Sequence, residues 1–157
     1  DEYGHASGDL VLKAVSEVLR QCCRETDYLF RWGGEEFLVV CVDQKRGALT
    51  QIMERIRRAI EALNIELEDQ QCITVTCSVG ACHYPFDAKQ PNWASTEQII
   101  ALADWCLFLA KNAGRNRCAS IHLHKSPEES YKSFFANIDQ RIQDGVATVE
   151  GVDYPSL

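Results

Sequence analysis

No apolar run in this sequence approaches the roughly twenty residues that a helix needs to cross a bilayer. No signal peptide stands at its start. A cytoplasmic domain making no membrane contact of its own is expected. Net positive charge is also lacking, since 16 Lys and Arg against 23 Asp and Glu leave a formal charge of −7. Binding nucleic acid or an anionic membrane takes basic faces that displace counterions, so neither is an expected partner. Any phosphate must be gripped locally, by a few placed residues. The only methionine, Met53, is interior, and the expectation is a piece of a longer protein. Disulfide-like spacing is missing too. Of eight cysteines, Cys41, Cys77, Cys82 and Cys106 fall inside apolar stretches, where the residue behaves as a small core hydrophobe of a reducing compartment. The odd spacing of Cys72, Cys77 and Cys82 along one extended run alternates their faces, which excludes a zinc cage there.

What is present suits one globular domain: 157 residues, 46% hydrophobic and 25% charged. Leu12, Val15, Leu19 and Cys22 recur at helical spacing and predict a helix from about Gly8 to Arg24, with Ser7 or Asp9 as its cap. Runs 28–32 and 37–42 flank Gly33-Gly34-Glu35-Glu36 and predict a hairpin. A second helix is expected on Leu49, Ile52, Met53, Ile56, Ile60 and Leu63, and a strand from Cys72 to Tyr84, before Pro85. Ser95 and Gln98 form a capping box for a third helix ending by Gly114, and Cys118 to Leu123 is a strand. Ser126-Pro127-Glu128-Glu129 opens a final helix with Tyr131, Phe134, Phe135, Ile138 and Ile142 on it, ending near Gly145. This order predicts an α+β fold, an antiparallel hairpin within a partly parallel sheet covered by helices.

Three places carry candidate chemistry. Glu35 and Glu36 put adjacent carboxylates at a hairpin tip, where Gly33 and Gly34 let a large ligand approach the backbone. Such oxygens suit Mg²⁺ with substrate phosphates, though an acidic tip also reads as simply solvated. Lys111 and Arg115, four apart at the end of the third helix, project from one side and suit a triphosphate; basic residues also favour any helix C-terminus. Tyr3-Gly4-His5 and Gly8-Asp9 place an imidazole and a carboxylate at a helix start. Asp9 matches the N1 and N2 hydrogens of guanine, and equally an N-terminal cap.

In combination these motifs resemble the GGDEF domain family of diguanylate cyclases. The matching residues are Asp1-x-Tyr3-Gly4-His5-x-x-Gly8-Asp9, Arg31-x-Gly33-Gly34-Glu35-Glu36-Phe37, Ser78-x-Gly80, and Ala103-Asp104 through Ala110-Lys111-x-x-Gly114-Arg115-Asn116. The resemblance covers residues 1–124 as a GGDEF domain, leaving 125–157 as a C-terminal amphipathic helix and tail. It implies a nucleotidyl-cyclase, palm-like (ferredoxin-like) mixed sheet and the condensation of two GTP into cyclic di-GMP in a bacterial signalling protein. Glu35 and Glu36 would hold Mg²⁺ or Mn²⁺, Glu35 serving also as base for the attacking 3′-hydroxyl. Asp9 would read guanine, His5 would lie beside the substrate, and Lys111 and Arg115 would hold phosphates. Each domain would offer half a site, so the resemblance implies a homodimer, regulated by an upstream sensor domain in the parent. Arg24 and Asp27, with Arg55, would form a product-inhibition site; a salt bridge ending a helix is the other reading. The family's upstream strand, with an aspartate metal ligand, a phosphate-cradling turn and a guanine-reading asparagine, is missing from this chain and expected in the parent. Its absence leaves a second reading, a module that binds cyclic di-GMP or GTP without turnover. A third, a dimerisation domain built on the aromatic last helix, explains none of the phosphate-binding residues.

Overall fold

The structure is a computed structural model describing residues 4–44, 47–67 and 71–154, with the backbone alone for 4–6. Asp1, Tyr3 and the side chain of His5 lie outside the described residues. The chain folds as two compact units, Asp1–Cys77 and Ser78–Leu157.

In the first unit, helix α1 spans Gly4–Cys22. It starts before the expected Gly8, so Ser7 and Asp9 lie within the helix and the capping role for Asp9 falls away. Gly8 then occupies a helix interior, at about 1 kcal/mol relative to alanine. Strands β1 (Tyr28–Gly33) and β2 (Glu36–Val40) form the expected antiparallel hairpin, with Tyr28 opposite Val40 and Gly33 opposite Glu36. Helix α2 (Ala48–Glu61) buries Ile52, Met53, Ile56 and Ile60, the stripe its spacing predicts. On its outer side Arg57 pairs with Glu54 and Glu61 at 3.2 and 2.9 Å. Two short strands, β3 (Ile65–Glu66) and β4 (Cys72–Ile73), pair antiparallel.

The single strand expected over Cys72–Tyr84 is two. After β4, residues 74–78 belong to no strand, and β5 is Val79–Cys82. The Val/Thr composition of 74–76 favours extended backbone, but a strand exists only where a partner supplies the ladder. β4 takes its partner from the first unit and β5 from the second, and the run breaks between them.

In the second unit β5 runs parallel to β6 (Cys118–Leu123), joined through helix α3 (Thr96–Asn112), and β7 (Ala147–Glu150) pairs antiparallel with the other edge of β6. Helices with a mixed sheet make the α+β class read from the sequence. The capping box of α3 is present, Gln98 N donating to Ser95 Oγ at 3.3 Å and Ser95 N to Gln98 Oε1 at 2.9 Å. Gly80 explains the Ser78-x-Gly80 motif: a Cβ there would lie 2.1 Å from Leu107 N and 2.3 Å from Ala103 O, because β5 runs directly against the backbone of α3.

The expected single last helix is also divided, into α4 (Tyr131–Ala136) and α5 (Ile138–Gln143). Its start is Ser130, whose side chain caps Ser133 N. The break falls at Asn137, where Nδ2 donates to Ser133 O at 2.9 Å, the local competition that makes asparagine a poor helix-interior residue. Both helices pack within the second unit. Phe134 is fully buried with Leu102, Cys106 and Ile121, and Trp93 meets Tyr131 and Phe134 edge-on at 5.5 and 5.3 Å. Trp93 Nε1 donates to Glu129 O at 2.7 Å and Tyr131 Oη to Gln98 O at 2.8 Å, so the polar tips of both these rings have partners.

Candidate functional site

The hairpin tip is a two-residue connection, Gly34-Glu35, between the paired Gly33 and Glu36. Gly34 has φ 51, the left-handed region in which a side chain is disfavoured. A Cβ added at Gly33 or Gly34 would meet nothing within 4 Å, so open space lies over the tip and a large group can reach its backbone. Glu35 and Glu36 are both exposed there. Arg31, inside the motif but given no role from sequence, donates from Nε to Gly34 O at 3.0 Å and braces the turn that carries Glu35. Its position three residues before Gly34 is the only signal the sequence offers, since the bond depends on the rotamer.

Among the described residues, no three His, Cys, Asp or Glu side chains gather to hold a metal. Glu35 and Glu36 provide two oxygen donors, which fits Mg²⁺ in its usual mode, held by one or two carboxylates with waters and substrate phosphates completing the shell.

Asp9 lies on α1, where it is exposed. Arg24, Asp27 and Arg55 occupy the other end of the same unit. A cavity of about 370 Å³ is lined by Val18, Cys22, Cys23, Arg24, Arg55 and their neighbours. Arg55 Nη2 donates to Cys22 O at 2.9 Å, drawing α2 to the end of α1. Arg24 and Arg55 are thus brought together at one cavity. Asp27 does not form the salt bridge of the alternative reading: Oδ2 accepts from Arg24 N at 2.8 Å and Oδ1 from Val42 N at 3.0 Å. Its carboxylate ties the loop after α1 to the end of the hairpin and keeps further lone pairs for a ligand. The same charge, after burial, raises the thiols beside it. Cys23 is pushed up, and Cys41 reaches about 11, so both are protonated and unreactive at neutral pH.

Lys111 and Arg115 belong to the second unit. Lys111 is in the last turn of α3, whereas Arg115 lies beyond the helix, which ends at Asn112. The chain turns left-handed through Gly114 (φ 114), Arg115 (φ 60) and Asn116 (φ 46). The helical argument for one shared side therefore does not apply to Arg115; its direction is set by the turn. Both side chains are exposed.

Residues 1–117 match the family described as diguanylate cyclase, GGDEF domain. The chain is 39% identical over 117 residues to diguanylate cyclase A of Treponema denticola, covering 74% of this chain and 30% of that protein. Among solved structures it is similar to the GGDEF domain of DgcB from Caulobacter crescentus in complex with c-di-GMP, with TM-score 0.67 and 25% identity over 76% of this chain and 68% of that one. It is similar also to the active GGEEF domain of a diguanylate cyclase from Vibrio cholerae, with TM-score 0.61 and 25% identity over 81% of this chain and 74% of that one. The chain spans less than a third of the length of the curated relative it matches.

Proposed function

The chain belongs to the GGDEF domain family, and from that premise we propose that in its parent protein it condenses two GTP into cyclic di-GMP and two pyrophosphates. The observation that carries this reading is the exposed Glu35-Glu36 pair on a braced, glycine-walled hairpin tip with open space above it. The similar domain from Vibrio cholerae is described as active with the same GGEEF signature.

In this reading Glu35 and Glu36 hold Mg²⁺ or Mn²⁺ beside the triphosphate, and Glu35 accepts the proton of the attacking 3′-hydroxyl. When bound, the metal neutralises phosphate charge and stabilises the attacking and leaving oxygens. Lys111 and Arg115 hold the phosphates, one as a point charge and one as a fork. Asp9 accepts from the guanine edge, and His5 lies near the substrate. Each 3′-oxygen forms a bond to the α-phosphorus of the other GTP as the bond to pyrophosphate breaks, so two copies must face each other and the working unit is a homodimer. Incubating the full-length protein with GTP and Mg²⁺ and separating nucleotides by chromatography tests the proposal; absence of cyclic di-GMP rejects it.

Guanine selection follows from Asp9, which the structure frees from a capping role. A carboxylate facing N1 and N2 of guanine finds no matching donor pair on adenine, and leaving it unpaired in a closed site costs about 1–3 kcal/mol or more. GTP should bind at least about fivefold tighter than ATP, by the usual conversion of 1.4 kcal/mol per decade. Equal affinities in calorimetry would remove Asp9 from the base-reading role.

Cyclic di-GMP is proposed to inhibit turnover by binding at Arg24, Asp27 and Arg55. The two guanidiniums at one cavity support this, each able to fork to a phosphate or a guanine Hoogsteen edge. Arg24→Ala should raise the inhibitory concentration of product about tenfold or more while leaving uninhibited turnover within twofold, since one charged hydrogen-bonding group is worth about 1.5–3 kcal/mol. Unchanged inhibition would place the inhibitory site elsewhere.

The second reading, a module that binds cyclic di-GMP or GTP without turnover, is favoured by the cavity at Arg24 and Arg55. It predicts product binding with no product formation.

A further inference from the structure

We propose that Arg117 is a positioning residue for Arg115, holding the left-handed turn that aims it at the substrate phosphates; this rests on the reading of Arg115 given above. Consecutive left-handed residues are unusual for L-amino acids, at roughly 1–2 kcal/mol each outside glycine. Asparagine tolerates the region, as at Asn116, whereas Arg115 at φ 60 has no such chemistry of its own. A strained turn of this kind persists only where surrounding contacts over-determine it.

Three contacts do so. Arg115 N donates to Ala110 O at 3.1 Å and closes the end of α3. Val79 N donates to Arg117 O at 2.9 Å and pins the far end of the turn to β5. Between them, Arg117 Nε donates to Arg115 O at 3.0 Å. The Arg117 guanidinium also lies under the turn, its Nη2 3.1 Å from where a Gly114 Cβ would stand, while the φ of 114 is what favours glycine at that position. Arg117 is half-buried and Arg115 exposed, a division between the group that holds the turn and the group that faces solvent. Of the three contacts only the third is a side chain's. Without it the Arg115 carbonyl loses its side-chain donor and the strained turn is held less tightly, which lets the Cα–Cβ bond of Arg115 shift and carries the guanidinium away from its aim.

Two substitutions separate holding from charge. In glutamine, Nε2 is as many bonds from Cα as Nε is in arginine, so Arg117→Gln keeps the donor and loses the charge. Arg117→Met keeps a similar length and loses both. In the full-length protein, Arg117→Met should raise KM for GTP about fivefold, the worth of one hydrogen bond, with kcat within twofold. Arg117→Gln should return KM to within about twofold of wild type. A KM unchanged in Arg117→Met overturns the proposal. So does an Arg117→Gln as weak as Arg117→Met, which would make Arg117 a cation acting directly or a residue of general structural weight. A wild-type protein that does not turn GTP over removes the underlying functional reading, and this inference with it.

Discussion

Glu35→Gln in the full-length protein is expected to lower cyclic di-GMP formation by on the order of 10³-fold or more, while GTP is still bound. Removing a single group that stabilises transition-state charge commonly costs 10²–10³ (about 3–4 kcal/mol), and in the proposed reaction Glu35 has two duties, as metal ligand and as proton acceptor. The amide keeps the shape of the side chain but is neutral and can accept neither role in full. The fold gives no reason for the variant to misfold, since Glu35 is exposed and stands in open space at the tip of the hairpin. Chromatography of the reaction products, with thermal denaturation as a control for folding, gives the answer. Turnover within tenfold of wild type, from a protein of normal melting temperature, would sink the role assigned to Glu35.

Gly80→Ala is expected to destabilise the second unit by about 3 kcal/mol or more, at the upper end of what overpacking costs. The Cβ would stand 2.1 Å from Leu107 N, 2.3 Å from Ala103 O and 2.6 Å from Leu107 Cα. All three are backbone atoms of a helix whose other side is packed around Leu102, Cys106 and Ala110, so no flexible side chain can yield. Either β5 parts from α3 or the helix bends. Denaturant unfolding of the variant checks it, and a loss below about 1 kcal/mol would show that the strand and helix separate far more easily than their packing implies.

The elements legible in the sequence were those whose signals are local. The hairpin announced itself by two β-rich runs about a glycine pair, α3 by the Ser95/Gln98 capping box, and α2 by the spacing of Ile52, Ile56 and Ile60. What escaped depends on partners distant in the chain. The break after Ile73 is decided by β3 and β6, not by the Val and Thr residues at the break, and β7 exists because β6 has a free edge to offer it. The division of the last helix rests on one side-chain bond from Asn137. Of the candidate site, residue identities were readable from the combination of motifs, and their geometry only in part. Asp9 looked as much like a cap as a ligand until α1 proved to begin earlier. Lys111 and Arg115 looked like helical neighbours, though a left-handed turn separates them. Asp27 was read as a ligand or ion-pair partner, and its bond to the backbone at Val42 joins residues fifteen positions apart in a way no local pattern records.

The family model matches residues 1–117 and so stops one residue before β6 begins, yet β6 is the middle strand of its sheet. The matched stretch and the folded second unit therefore have different borders in this chain. A fragment trimmed to the shared residues would lose Ile121, Phe134 and Ala147, all fully shielded, and would leave the apolar side of α3 facing water as a sticky surface. The smallest piece worth expressing as an independent second unit runs past β7. The residues beyond the matched stretch supply the lid against which the apolar side of α3 rests.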